Sequence, residues 1–194
     1  MRTKNQLKIL LLIIAVLTII APAEKTLGQL AKLVYLHAAL SIAITVLLLF
    51  TAAIALVSIF RKNSISLAKT SLKVSLVFQV VNVALVPVIT GLTWGVFFAW
   101  QEPRVILTVV LLSLTLAAYL LEDTFSTPVI NSLLVASPGL VRLFTLGNIG
   151  RLMHPINPIG SSDSLAIKII SLGIFLASLL FGFIWINYLQ QRKI

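Results

Sequence analysis

The chain has 194 residues, of which 59% are hydrophobic and 10% charged, and its mean hydropathy is +1.10. That balance lies outside soluble globular usage and inside integral-membrane usage, so a water-soluble protein is excluded, and a net charge of +10 does not indicate a nucleic-acid partner. The chain has no cysteine, which removes disulfides, thiolate metal sites and covalent C-x-x-C-H haem attachment; any cofactor is held non-covalently.

A helix rising about 1.5 Å per residue needs roughly 20 apolar residues to cross a hydrocarbon core of about 30 Å. Six runs of suitable length are bounded by charge or proline. The first, Leu7–Pro22, follows a basic MRTK start and ends in Ala21-Pro22-Ala23, so it reads either as a span or as a cleavable secretory signal. Val34–Phe60 is the second run. The third, Leu72–Leu92, carries Gln79 and Asn82, expected to hydrogen-bond between helices, and Pro87, expected to kink it. Val105–Leu121 is the fourth. The fifth, Pro128–Leu146, is interrupted by Pro138-Gly139 and contains Asn131 and Arg142, which predicts a kinked or partly re-entrant segment. Leu165–Leu189 is the sixth. Without a long linker, low-complexity tract or repeat, residues 1–194 are expected to form one all-α, polytopic membrane bundle.

Orientation follows from lysine and arginine near span ends. Arg2, Lys4 and Lys8 precede the first span, Arg61, Lys62, Lys69 and Lys73 separate the second from the third, and Arg192 and Lys193 follow the last. With six spans all of these share one face, which predicts cytoplasmic termini in a plasma or inner membrane; the acidic Glu122-Asp123 turn falls on that face as a discordant detail. The opposite, non-cytoplasmic face then receives His37, the stretch TWGVFFAWQEPR at Thr93–Arg104, and His154.

These residues are the candidates for chemistry. Taken singly, His37 reads as an interfacial polar residue and His154 as a solvated loop histidine, while Trp94, Phe97, Phe98 and Trp100 read as a headgroup-level aromatic belt. Taken together they read differently, because two imidazoles fall short of the three or four protein ligands of a zinc site but suffice for both axial positions of one haem iron. The aromatic stretch supplies apolar cover, Gln101 a hydrogen-bonding group and Arg104 a propionate partner, with Lys32 and Arg151 as further cations beside the histidines.

The order of a span opening with Y-x-H, a W-G-x-aromatic-aromatic-x-W-x-x-R loop and a later loop histidine before the last span resembles the CcmC/CcsA haem-handling family of cytochrome c biogenesis, closest to the smaller CcmC type. The resemblance runs from about Leu33 to the C-terminus. It implies that Trp94, Gly95, Phe97, Phe98, Trp100, Gln101 and Arg104 represent the family's tryptophan-rich WWD motif, and that His37 and His154 are the axial ligands of a transiently bound b-type haem. Phe97-Phe98 stand where the motif has paired tryptophans, and Gln101 where it has aspartate, with Glu102 as a substitute carboxylate. The resemblance further implies transfer of haem to a CcmE-like chaperone, with ABC-type transporter subunits of the CcmA/CcmB kind as partners: a haem chaperone rather than a turnover enzyme. An electron-transfer cytochrome b, with ligands deep in facing helices, and a permease or assembly subunit with incidental histidines are the alternatives.

Overall fold

The computed structural model describes residues 2–146 and 159–192. Six helices follow one another: α1 (Arg2–Ile20), α2 (Ala31–Ser58), α3 (Ile65–Trp94), α4 (Pro103–Leu121), α5 (Pro128–Thr145) and α6 (Leu165–Gln191). Each is long and apolar enough to cross a bilayer, so the chain is an all-helical polytopic bundle with the hallmark of an integral membrane protein.

The helix starts follow from local chemistry. Pro103 and Pro128 occupy first helical positions behind extended Glu102 and Thr127, where a missing N–H costs no helical hydrogen bond. Ser164 caps α6 by accepting from the Ile167 amide at 3.4 Å. At the other end of a helix, α3 stops at Gly95, whose φ of +71° lets its amide turn back to the Gly91 carbonyl at 3.1 Å.

Helix α2 is the centre, packed against α3, α5 and α6, while α4 bridges α3 and α5 and α1 lies outside, mainly on α6. Leu47, Leu48, Leu72, Val74, Val135 and Ile174 are fully buried between them. The tightest seam joins α2 to α5, where a Cβ added to Gly139 would lie 2.2 Å from the Leu48 carbonyl oxygen and 2.6 Å from Ala52 Cβ. Small residues permit this backbone approach, and dispersion over the closely packed surfaces holds it.

The fifth run is a helix long enough to span, as expected, and it continues through Pro138-Gly139. Proline at 138 removes the amide that would bond the Leu134 carbonyl. Ser137 Oγ donates to that same oxygen at 2.8 Å, so the carbonyl is satisfied inside the apolar layer. The third run is corrected at its start, since α3 begins at Ile65 after a 3-10 turn over Lys62–Ser64. Lys69 and Lys73 therefore stand on helical turns, because a helix continues into the headgroup layer beyond the apolar run that identifies it. Helix α3 also passes unbroken through Pro87.

Polar side chains link the helices as expected of Gln79 and Asn82: Gln79 Nε2 donates to Thr115 Oγ1 at 2.9 Å and Asn82 Nδ2 to Ser41 Oγ at 3.0 Å. Hydroxyl pairs Thr51–Ser71 at 2.7 Å and Ser58–Ser132 at 2.8 Å do the same nearer the chain termini. At that end Lys69 pairs with Asp123, so the discordant acidic turn is neutralised from α3. Gln190 Nε2 reaches the Ser66 carbonyl at 2.7 Å. These contacts gather the helix start of α3, the α4–α5 turn and the end of α6 into one basic end. The connections at 21–30 and 95–102 lie at the other.

Candidate functional site

The aromatic stretch forms the rim of that other end. Gly95 ends α3, and Thr90 Oγ1 donates to the Phe97 carbonyl at 2.8 Å, pinning the loop to the last turns of α3. Ala99 is fully buried and acts as a pivot; Trp100 N–H bonds the Phe98 carbonyl and Glu102 N–H the Ala99 carbonyl. Around this pivot the rings assemble. Phe98 stacks on Trp100 with centroids 5.1 Å apart and planes inclined by 16°, and Phe97 meets Phe98 edge-on at 5.4 Å, both favoured aromatic geometries. Phe97 is nonetheless 74% exposed and Trp100 55%. The array presents apolar area outward instead of burying it in the bundle.

Glu102 behaves differently from the surface carboxylate expected as a stand-in for the motif's aspartate. It is 1% exposed and caps α4, its Oε1 accepting from the Arg104 amide at 3.3 Å. A carboxylate at a helix N-terminus is stabilised there by the unpaired amides and the helix dipole, so Glu102 serves the start of α4. Gln101 beside it is exposed.

His37 lies in the second turn of α2, half-buried, with Nδ1 shielded from solvent. Tyr35 of the Y-x-H opening is buried in the cluster with Ala21, Ile167 and Ile174; two residues along a helix turn a side chain by about 200°, so His37 faces away from α6. Its own face is defined by hydrogen bonds four residues apart. Ser41 Oγ donates to the His37 carbonyl at 2.9 Å and Thr45 Oγ1 to the Ser41 carbonyl at 2.9 Å. Ser41 receives Asn82 of α3, and Thr45 accepts from Arg142 Nε of α5 at 2.9 Å. His37, Ser41 and Thr45 thus form a polar stripe that faces α3 and α5 beneath the aromatic loop. Counted from the Ser41–Asn82 contact at about 1.5 Å per residue, the loop overhangs the His37 turn by roughly 13 Å along the axis.

Arg142 is the residue that sequence reasoning underrated, treating it as a mark of a broken span. It is a half-buried guanidinium in the last turn of α5, turned toward Thr45 of α2. A cation held against a neighbouring helix of a membrane bundle is a candidate for function; that signal was already present in the composition of the fifth run. Lys32 is reassigned in the opposite direction. Its ammonium donates to the Ile19 carbonyl at 2.6 Å, where it neutralises the C-terminal end of α1 instead of serving the histidine.

The structure therefore brings Trp94, Gly95, Phe97, Phe98, Trp100, Gln101 and Arg104 together on one rim, with His37 below it at the same end. His154 and Arg151 lie outside the described residues. Among the described residues, no group of three or more His, Cys, Asp or Glu side chains is arranged to hold a metal ion. Comparison with protein-family models and with curated proteins finds no match for this sequence.

Proposed function

We propose that this protein handles haem in the membrane during cytochrome c maturation, receiving it at the non-cytoplasmic face of the plasma or inner membrane and passing it to an extracytoplasmic, CcmE-like chaperone. The observation that carries this reading is the exposed aromatic array of Phe97, Phe98 and Trp100 above the turn that holds His37. Apolar rings stacked on one another and held open at the membrane surface are suited to the face of a flat, apolar cargo. His37 and His154 would supply the axial imidazoles. With Nδ1 of His37 turned into the protein, ligation would use Nε2, the two ring nitrogens dividing ligand and anchoring roles.

The chain's residues bind and orient the cargo; they perform no bond chemistry on it. Arg104 would hold a propionate, and charge-assisted hydrogen bonds of this kind add direction as well as strength. Indole and phenyl faces exclude water from the iron, while the open side of the loop leaves a route for release. ABC-type transporter subunits of the CcmA/CcmB kind would act on the complex with the chaperone.

The visible absorption spectrum of the purified protein, after expression with ample haem, tests this directly. Wild type is expected to show a six-coordinate Soret and α/β band pattern, and His37→Ala and His154→Ala are each expected to reduce retained haem at least ten-fold, the loss of about 1.4 kcal/mol or more of binding. Identical haem content and spectra in all three proteins would overturn the proposal.

A further inference from the structure

At the basic end, α3, α4 and α6 border an open pocket of about 270 Å³ lined by Lys69, Thr70, Lys73, Tyr119, Glu122 and Arg192, with Leu189 on its apolar side. Beside it Gln190 ties α6 to α3, its Nε2 donating to Thr70 Oγ1 at 2.7 Å and to the Ser66 carbonyl at 2.7 Å. Three cations face one carboxylate in this wall. Lys69 is engaged by Asp123, whereas Lys73 and Arg192 have no ion-pair partner among the described residues; the Arg192 guanidinium lies 4.8 Å over the Tyr188 ring. Stacking of this kind fixes a guanidinium in place while its N–H edge stays available for an anion. The pocket also sits where α4 ends at Leu121 and α6 at Gln191, which is headgroup depth for spans of this length, and Tyr119 is placed as interfacial tyrosines usually are.

We propose that this pocket binds a phosphate oxyanion at the membrane surface, with Lys73 and Arg192 as its charged donors. The ammonium supplies a point charge and the guanidinium a planar fork, the pairing suited to the oxygens of a phosphate group. A phosphodiester of an anionic lipid meets the site from the bilayer, since basic pockets between membrane helices recognise such headgroups; a free phosphate from the aqueous side offers the same oxygens.

The experiment uses the full chain, extracted from vesicles of mixed phosphatidylcholine and phosphatidylglycerol and examined by native mass spectrometry for retained lipid. Wild type is expected to retain phosphatidylglycerol in preference to phosphatidylcholine. The double variant Lys73→Gln/Arg192→Gln is expected to lose that preference by about five-fold per charge removed, the typical attraction of one basic residue to an anionic surface. Lys73→Arg/Arg192→Lys is expected to keep it. Titration with inorganic phosphate separates the two sources: displacement of the lipid at millimolar phosphate in wild type alone identifies soluble phosphate as a competing ligand, and persistence of the lipid identifies the headgroup. Equal retention by wild type and the double variant would overturn the proposal. So would an equal loss in Lys4→Gln/Arg61→Gln, which removes the same charge from this end but outside the pocket. Because the pocket and the aromatic rim occupy opposite ends of the bundle, the haem spectrum and the lipid adducts fail independently.

Discussion

The two ends of the bundle place charge and apolar area in opposite ways. At the basic end the charges are outside: Lys69 is paired with Asp123, Arg192 lies over Tyr188, neither it nor nearby Lys73 has an ion-pair partner among the described residues, and Gln190 bridges α6 to α3. Between there and the core, small hydroxyls bond one another across the helices. At the aromatic end the arrangement is inverted. Phe97 and Trp100 are held outward while Glu102 is buried at the cap of α4 and Arg142 reaches Thr45 within the bundle. Amide oxygens without a hydrogen-bond donor do not separate the ends: those of Gln79 and Asn82 are buried in the middle of α3, and that of Asn131 at the basic end. Burying Glu102 and Arg142 costs free energy, whereas holding Phe97 and Trp100 outward at headgroup level does not. The lesson is that the aromatic end keeps its charged groups inside and its rings outside, whereas the basic end leaves cations at the surface, and a binding role is proposed for each on that ground.

The largest expected effect comes from the seam that holds both ends in place. Gly139→Leu should abolish the folded bundle, and Gly139→Ala should destabilise it by about 3 kcal/mol or more, the upper range for overpacking, because its first side-chain carbon would already overlap the Leu48 carbonyl. Thermal unfolding in detergent micelles reads this out. An unchanged midpoint for the alanine variant would mean that the two ends are not held by a rigid common seam, and the contrast between them would lose its basis.

A smaller effect is expected at Arg142. Replacing it by leucine removes a half-buried cation in the last turn of α5, whose cost is at most the about 2.5–3.5 kcal/mol of a helix centre, and gives up a hydrogen bond from a charged group to Thr45 worth about 1.5–3 kcal/mol. The two nearly cancel, so Arg142→Leu should shift stability by about 1 kcal/mol or less while lowering haem retention several-fold. Loss of retention without loss of stability is what a functional charge produces. If the same variant is destabilised by about 2 kcal/mol or more, Arg142 is structural glue and the inversion at the aromatic end is a packing feature.

Much of this architecture is legible in the sequence, and its gaps have physical causes. Apolar runs of membrane length identify all six helices, because hydrogen-bond satisfaction in lipid leaves the backbone few alternatives. Helix ends are less legible: α3 starts at Ile65, in the headgroup layer, where hydropathy no longer reports structure. The continuity of α5 was hidden because Ser137, bonding the Leu134 carbonyl three residues back, fills the gap left by Pro138 within the same helix, so a local pattern that resembles a break carries its own repair. Glu102-Pro103 was readable as a cap followed by a first-turn proline, yet its burial was not, since burial depends on Ala99 folding the loop inward. The convergence of the aromatic stretch and His37 on one end follows from parity alone, whereas the stripe from His37 through Ser41 and Thr45 to Arg142 required the pairing of α2 with α3 and α5.

The smallest effect sharpens the comparison at the aromatic end, where the connection between α1 and α2 is organised by Glu24. Its Oε2 accepts the amides of Leu27 at 2.9 Å and Thr26 at 2.8 Å, and these backbone bonds, that of Leu27 foremost, hold the carboxyl below its ordinary value. The sign follows from linkage. A carboxyl whose folded value is depressed binds fewer protons folded than unfolded, so its contribution is present above the unfolded value and is lost as pH falls through the folded one. Solvent at this surface connection screens the group and keeps the effect local. Hydrogen-exchange protection of the Thr26 and Leu27 amides should therefore fall on acidification with a midpoint below that of an ordinary glutamate, and Glu24→Gln should flatten that profile. A midpoint at the ordinary carboxylate value would show that the 21–30 connection is not organised by this residue, and that this end is ordered by the aromatic loop without its help.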